Sequence, residues 1–506
     1  MDKLNRILPV GALLGLCVLI FFLRLHTYSE PLEQDLTTYA VIAHEMLDGK
    51  QLYNDLWDHK PPAVHVTYAA AELIAGYGRG SIFLMNVATA IATLFACYWA
   101  GSAAGGGRIG GLVAAALWAL ASGDLAIQGN QPNTEVFLNA FLATGFAVLV
   151  RREKSGLGLR GALLAGVLFA VASLYKQVVI AQAALLAFAY FASSPPPARK
   201  KALAEVALIA VIGATAWALV FGYFVVQGRG QAFTEAVFTY NRWYSGNIWR
   251  NLSYALHWPR MSMQALTPLL LMGILSAAGM APGLIFGPRR PWILLLAFAA
   301  ATHIAVLLPG HFFAHYYQLW LPPLAIGAGW AVALLKRILP MHLPQLSYGV
   351  AGVTCTVLIA LELPYYRVSA ASWSEQKYGN LFLETDRLAH RIDNLLSPGE
   401  TFYEWGSETG LYFTSGRRPA SGVVFARPAL VGPVAAKLSQ RLLRDLERSK
   451  PELIVIDEQL LKRVGPRHPV FVWFKENYRP FLRTDEFLLL ARNGSKLDHE
   501  NSIAAD

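Results

Sequence analysis

Long apolar runs recur along this sequence, near 7–24, 82–100, 109–127, 135–150, 161–176, 177–193, 203–226, 264–286, 291–308, 319–335 and 347–363. A bilayer core of about 30 Å takes about 20 helical residues, because each advances about 1.5 Å and lipid leaves no partner for an open backbone group. The runs therefore predict about eleven transmembrane helices. Residues 62–77 are shorter and interrupted by His65 and Glu72, so length alone does not place them. In 36–48, LTTYAVIAHEMLD, apolar residues fall at helical spacing with polar ones opposite, which fits either a helix lying on the membrane surface or a soluble cap. Beyond about 368 no membrane-length run follows. There TFYEW (401–405) and PELIVID (451–457) read as strands and 433–449 as a charged helix, a small α/β unit. The predicted organisation is a transmembrane domain over 1–367 and a soluble domain over 368–506.

Composition agrees, with 55% hydrophobic and 15% charged residues. A formal charge of +10 would suit nucleic acid, but the cations sit in short clusters between apolar runs, where they set orientation. If 62–77 lies in the interface and the N-terminus is cytoplasmic, Arg151-Arg152-Lys154 with Arg160, Arg199-Lys200-Lys201, Arg289-Arg290 and Lys336-Arg337 all fall inside. If 62–77 crossed, every cluster would lie outside. The first frame follows, with 25–80, 129–135, 227–262 and 310–318 as outer loops and the C-terminal domain extracytoplasmic. Lys3 and Arg6 precede the first run without a small-x-small cleavage site, so a retained span is expected. Cys17, Cys97 and Cys355 lie in apolar runs and read as small hydrophobes. The 227–262 loop carries Tyr240, Trp243, Tyr244, Trp249 and Trp258, fit for headgroup anchoring or for stacking on a substrate.

Ionisable groups gather at the outer ends of the spans, where desolvation makes them costly. Asp35 can accept a proton from a hydroxyl or cap the helix beginning near Leu36. In Asp58-His59-Lys60-Pro61-Pro62 the diproline fixes the backbone, and the Lys60 ammonium can bind phosphate or snorkel to the interface. Lys176, in LYKQ, poses the same choice. Glu135 follows Asn133 and Thr134 near a helix N-terminus, where the dipole stabilises a carboxylate without catalysis. His311 and His315 are four apart, so a helix would place both on one face, for a metal or for hydrogen bonds. There is no Walker loop, HExxH or GxSxG motif for nucleotide or serine chemistry.

These residues resemble a known family. The pattern D-x-x-x-Y-A-x-x-A-x-E-M-x-x-G from Asp35 to Gly49 and HKPP at 59–62 are similar to the GT-C glycosyltransferases. Within them, the protein O-mannosyltransferases, the aminoarabinose transferases of lipid A and rhizobial lipopolysaccharide glycosyltransferases come nearest. LYKQ (174–177), HFFAHYYQLWLPP (311–323) and YEWGSETGLYFTSGRRPAS (403–421) resemble the bacterial branch, so the likeness spans nearly the whole chain. It implies a multi-pass protein of the bacterial inner membrane that moves a sugar from a polyprenyl-phosphate donor to an extracytoplasmic glycan, lipid or protein, lipopolysaccharide foremost. Asp35 matches the family's general base, which activates the acceptor hydroxyl for inverting attack. Lys60 matches the lysine that neutralises the leaving phosphate, and Tyr39, Lys176 and His315 match donor or phosphate contacts. Glu135, with His59 and His311, would orient acceptor or donor. The sequence departs from the aminoarabinose transferases at Thr38, where those carry arginine before the tyrosine, and at His59, where they carry an acid.

Such a donor is already activated, so positioning, one base and positive charge at the leaving group suffice. No nucleotide or redox cofactor is needed, and no carboxylate pair lies close enough in sequence to argue for a metal. A transporter or flippase of lipid-linked sugars is the rival, but inverted repeats and ionisable residues near mid-span are not evident. A noncatalytic scaffold is a third reading, in which Asp35→Asn leaves function intact.

Overall fold

A computed structural model of the chain describes residues 2–151, 158–254, 266–338, 345–463 and 468–498. Arg152, Lys154 and Trp258, named above, fall outside these, as do the side chains of Lys3 and Arg6. The first half runs α1 (Asp2–His26), α2 (Gln34–Leu47), α3 (Ala63–Ala75), α4 (Arg79–Gly101), α5 (Gly107–Ala121), α6 (Thr134–Arg151), α7 (Gly158–Ser173), α8 (Val179–Ala192) and α9 (Arg199–Val226). Three short helices follow, α10 (Gly230–Thr234), α11 (Asn241–Tyr244) and α12 (Ile248–Ser253), then α13 (Thr267–Phe286), α14 (Arg289–Leu307), α15 (Leu321–Ile338) and α16 (Gln345–Glu362).

Each of the eleven apolar runs is a helix. Among the described residues eight helices are long and apolar enough to cross a membrane. Three others are shorter than the runs implied, α5 with 15 residues, α7 with 16 and α8 with 14. For α7 and α8 the reason is local, since the turn at 174–178, which holds Lys176 and Gln177, takes residues from both runs. The α3 helix has 13 residues, about 20 Å. Close approach holds the bundle where small residues meet: a Cβ on Gly101 would lie 2.7 Å from Ala114 Cβ and from the Gly110 carbonyl oxygen, and one on Gly110 3.2 Å from the Gly329 carbonyl. Backbones of α4, α5 and α15 therefore touch with no side chain between them.

The basic residues meet at one end of this bundle. Arg151 donates to the Trp99 carbonyl and to Ser102 at the end of α4, Arg290 to the Tyr190 carbonyl and Ser194 at the end of α8, and Arg337 lies against Gly105. The first loop, the 128–134 turn and the 174–178 turn lie at the other end. There Leu36 through Ala43 and Glu45 of α2 are all buried, because α2 packs between α3 and the C-terminal part of the chain.

That part begins with α17 (Ala370–Tyr378) and α18 (Leu381–Leu395). It continues through β1 (Phe402–Trp405), α19 (Gly410–Ser415), α20 (Arg427–Leu430), α21 (Ala435–Ser449), β2 (Leu453–Asp457), α22 (Glu458–Arg463), α23 (Pro469–Asn477), β3 (Tyr478–Arg483) and β4 (Phe487–Arg492). The strand order is β1-β2-β4-β3, with β1 and β2 parallel and β4 antiparallel to both neighbours. The expected strands and the 433–449 helix are present, and the β3–β4 hairpin is an addition. Polar contacts seat this unit on the first loop. Thr37 and Thr38 share hydroxyl contacts of 2.8 and 2.9 Å with Thr409, and Arg418 forks onto Glu45 at 2.9 and 3.0 Å. Arg79 meets Asp386 at 2.6 Å, and the Trp57 amide donates to the Gly422 carbonyl at 2.9 Å.

Candidate functional site

The start of α2 is capped by Glu33, whose carboxylate accepts from the Asp35 amide at 3.2 Å. Asp35 is thus not the helix cap, and its half-buried side chain is left to face a cavity. Burial, with the charge of Asp35 beside it, pushes the Glu33 carboxyl well above the usual range. Asn133 holds both: its Nδ2 donates to Glu33 Oε1 at 3.1 Å and to Asp35 Oδ2 at 3.2 Å, while its Oδ1 accepts from the buried Tyr39 hydroxyl at 3.3 Å.

The second wall is the 58–62 segment. The Tyr53 hydroxyl donates to the Lys60 carbonyl at 2.6 Å, Asn241 to the His59 carbonyl at 2.6 Å, and the diproline leads into α3. Buried Asp58 lies 3.2 Å from His59 Nδ1 and 3.0 Å from His65 Nε2. Burial opposes its charge, but these two imidazoles outweigh that and hold it below the ordinary carboxylate range. The Lys60 ammonium lies 5.9 Å from the Tyr39 ring centre, with no carboxylate in ion-pair distance among the described residues. Burial works against its charge too, yet Asp35, Glu135 and Asp58 together keep its pKa above the usual value.

Asp35, Tyr39, His59, Lys60 and His315 all line one cavity of about 320 Å³. Glu33 and Asp58 line it as well, and its other walls include Tyr240, Tyr244 and Tyr316, with Tyr378, Phe382, Ser407, Phe425 and Arg427 of the C-terminal unit. A second chamber of about 250 Å³ shares His59, Lys60, Tyr244 and Tyr316 with the first and adds Lys176 and Arg242. Lys60 therefore stands on the partition between the two. Lys176 Nζ sits 3.5 Å from the Tyr316 ring centre and pairs at 2.5 Å with Glu135, which is fully buried and lines neither chamber.

The two histidines of the 310–318 loop do not share a helix face. His311 precedes a 3₁₀ helix over Ala314–Trp320, and Phe312 adopts φ 55°. The alternate rings instead form a ladder, Tyr244 on His311 at 4.0 Å, His311 on Phe313 at 5.5 Å and Phe313 on His315 at 5.6 Å. His311 Nε2 is 3.0 Å from the Tyr244 carbonyl, and burial lowers its pKa. His315 Nδ1 is 3.3 Å from Gln128 Oε1. Among the described residues no three His, Cys, Asp or Glu side chains stand close enough to share a metal ion.

No family model and no curated protein matches the chain. Solved structures do. ArnT from Cupriavidus metallidurans bound to undecaprenyl phosphate is similar with a TM-score of 0.65 at 17% identity, over 96% of this chain and 98% of that one. The archaeal oligosaccharyltransferase AglB from Archaeoglobus fulgidus, in complex with an inhibitory peptide and a dolichol-phosphate, gives 0.55 at 13% identity, over 98% and 77%. The arabinofuranosyltransferase AftD from Mycobacteria gives 0.51 at 14% identity, over 98% of this chain but 40% of its own. This chain has the GT-C fold.

On this GT-C framework the Asp35 cavity opens at the end of the bundle opposite the basic clusters. Sequence reasoning named Tyr240 and Tyr244 as rings that could stack on a substrate, but did not single out Glu33, Asn133 or Arg427 as site residues. Asn133 stands in the GNQPNTE loop that carries Glu135, so position gave a signal. Arg427 gave none, being one of many charged residues in the C-terminal unit.

Proposed function

We propose that the chain is an inverting glycosyltransferase that moves a sugar from a polyprenyl-phosphate donor to an acceptor at the outer face of a bacterial inner membrane. The observation that carries this reading is that Asp35 and Lys60, 25 positions apart in sequence, line one cavity, with Lys60 on the partition to a chamber holding Lys176 and Arg242. An inverting displacement needs base and leaving group on opposite sides of the anomeric carbon. Asp35 on one side and the cationic chamber on the other fit that demand. Asp35 takes the proton of an acceptor hydroxyl, its oxygen bonds to the anomeric carbon, and the carbon–oxygen bond to phosphate breaks with its electron pair leaving on polyprenyl phosphate. Lys60, with Lys176 and Arg242 beyond it, receives the charge that develops there.

An apolar cleft of about 710 Å³ between α7, α8 and α9 reaches Ser173, three residues before Lys176, and offers a place for the lipid chain. ArnT, bound to undecaprenyl phosphate, supports that donor class. The basic end of the bundle favours a cytoplasmic N-terminus, with the site and the C-terminal domain over 368–506 outside. An envelope glycan, lipopolysaccharide foremost, is the acceptor proposed. The test is transfer in proteoliposomes from a panel of undecaprenyl-phosphate sugars. Asp35→Asn is expected to lose about 10²–10⁴-fold in rate while folding normally. Transfer by that variant at the wild-type rate would remove Asp35 from the mechanism.

A further inference from the structure

The two cations of the Asp35 cavity are not equivalent. Lys60 faces both chambers, whereas Arg427 lines only the one with Asp35. Arg427 opens α20 and is exposed at the cavity rim, its guanidinium carbon 5.7 Å from the Tyr244 ring centre. Among the described residues no carboxylate lies within ion-pair distance of it and no side-chain hydrogen bond holds it. Its backbone is nevertheless fixed. The neighbouring Ala426 amide donates to the Gly406 carbonyl at 2.7 Å, and Phe425 packs its ring 5.9 Å from Trp57.

Tyr244 lines both chambers, and its hydroxyl lies within electrostatic reach of Lys60, Asp35 and Arg427. Among the described residues no carboxylate pairs with the Arg427 guanidinium, although Asp35 and Asp58 line the same cavity, so its fork of donors is open to a ligand. A planar guanidinium without a protein partner suits a phosphate or carboxylate, which it can hold through two parallel hydrogen bonds. Whatever it holds shares the cavity with the hydroxyl that Asp35 activates.

We infer that Arg427 is a specificity-determining residue that holds an anionic group of the acceptor, so that the enzyme selects acceptors carrying a phosphate or carboxylate near the attacking hydroxyl. This rests on the transferase reading, but its test involves no transfer, and the Asp35→Asn experiment decides that reading separately. Full-length protein in nanodiscs saturated with undecaprenyl phosphate is titrated with glucose 6-phosphate, glucuronate and glucose at physiological ionic strength, by saturation-transfer NMR. Wild type is expected to bind one or both anionic sugars at least about tenfold more tightly than glucose. The better of the two identifies phosphate or carboxylate as the natural group. Arg427→Gln erases the preference and Arg427→Lys keeps part of it, since the charge stays and the fork is lost. Affinity for undecaprenyl phosphate, measured separately, is unchanged in Arg427→Gln and weakened in Lys60→Ala. The inference is overturned if wild type shows no preference, if Arg427→Gln retains it, or if Arg427→Gln weakens undecaprenyl phosphate as Lys60→Ala does.

Discussion

Lys176 and Glu135 form a pair whose structural and chemical roles can be pulled apart. Their charged atoms are 2.5 Å apart, with the Glu135 side chain 0% and that of Lys176 10% exposed. Removing one partner from such a pair strands the other charge out of water, at about 3–5 kcal/mol, whereas replacing both by uncharged groups of similar size is close to neutral. Lys176→Met and Glu135→Gln should each lower stability by that amount, and the double variant should return to within about 1 kcal/mol of wild type. Met also keeps a sulfur contact with the Tyr316 ring, which Lys176 now covers at 3.5 Å. Apparent unfolding temperatures at one fixed scan rate in detergent measure the cycle, because irreversible unfolding makes them rate-dependent.

Sugar transfer by the same proteins separates the second role. The stable double variant lacks the ammonium, so its transfer rate should stay as low as that of Lys176→Met. Among the described residues Lys60 has no carboxylate in ion-pair distance, whereas Glu135 already neutralises much of the Lys176 charge. Lys60→Ala should therefore cost the greater factor, on the order of 10²–10³ expected for losing a preorganised contact to developing charge. Destabilisation by the two single changes that simply adds in the double variant would refute the coupling. A double variant with wild-type transfer would refute a phosphate role for Lys176.

Asn133→Ala frees Asp35 and Glu33 from a shared donor, and should lower kcat about tenfold with little change in KM, as steady-state transfer would show. Burial, with Asp457 and Glu486 nearby, raises Glu408 from its ordinary 4.5 to about 8. Its contribution to stability is thus fully present below about 4.5 and is lost as pH rises towards 8, at up to about 1.4 kcal/mol per unit. Glu408→Gln should flatten that decline, and equal pH slopes for variant and wild type between pH 5 and 8 would exclude it. A Cβ on Gly422 would fall on the Asp55 carbonyl oxygen. Gly422→Ala should therefore cost about 1–3 kcal/mol in docking of the C-terminal unit, seen as faster hydrogen exchange at the Trp57 amide.

What was legible in the sequence was local, and what was not depends on residues far apart in the chain. Hydropathy marks each helix of the bundle because burial in lipid demands an unbroken run, and Lys176 and Gln177 mark the break between α7 and α8, though hydropathy does not show that the turn at 174–178 takes residues from both runs. The chemistry of Asp35 and Lys60 is legible because both lie in one 26-residue stretch of the first loop whose motifs are compact. The cap at α2 was missed because glutamate is an uncommon cap, and Asp35 two residues later looked the better one. The walls of the cavity have no such local sign. Asn133 meets Asp35 across 98 residues, and Thr38 meets Thr409 across 371. Arg427 reaches Tyr244 only because α20 is set down by contacts of Phe425 and Ala426 that no periodicity records. The same division applies to function. Donor chemistry needs a carboxylate and a cation near one phosphate, which a short motif can carry. Under the proposed function, acceptor choice would depend on the surface that closes over them, which here includes Tyr378, Phe382, Ser407, Phe425 and Arg427 of the C-terminal unit, so proteins sharing the first-loop motif could differ in acceptor while keeping the same displacement.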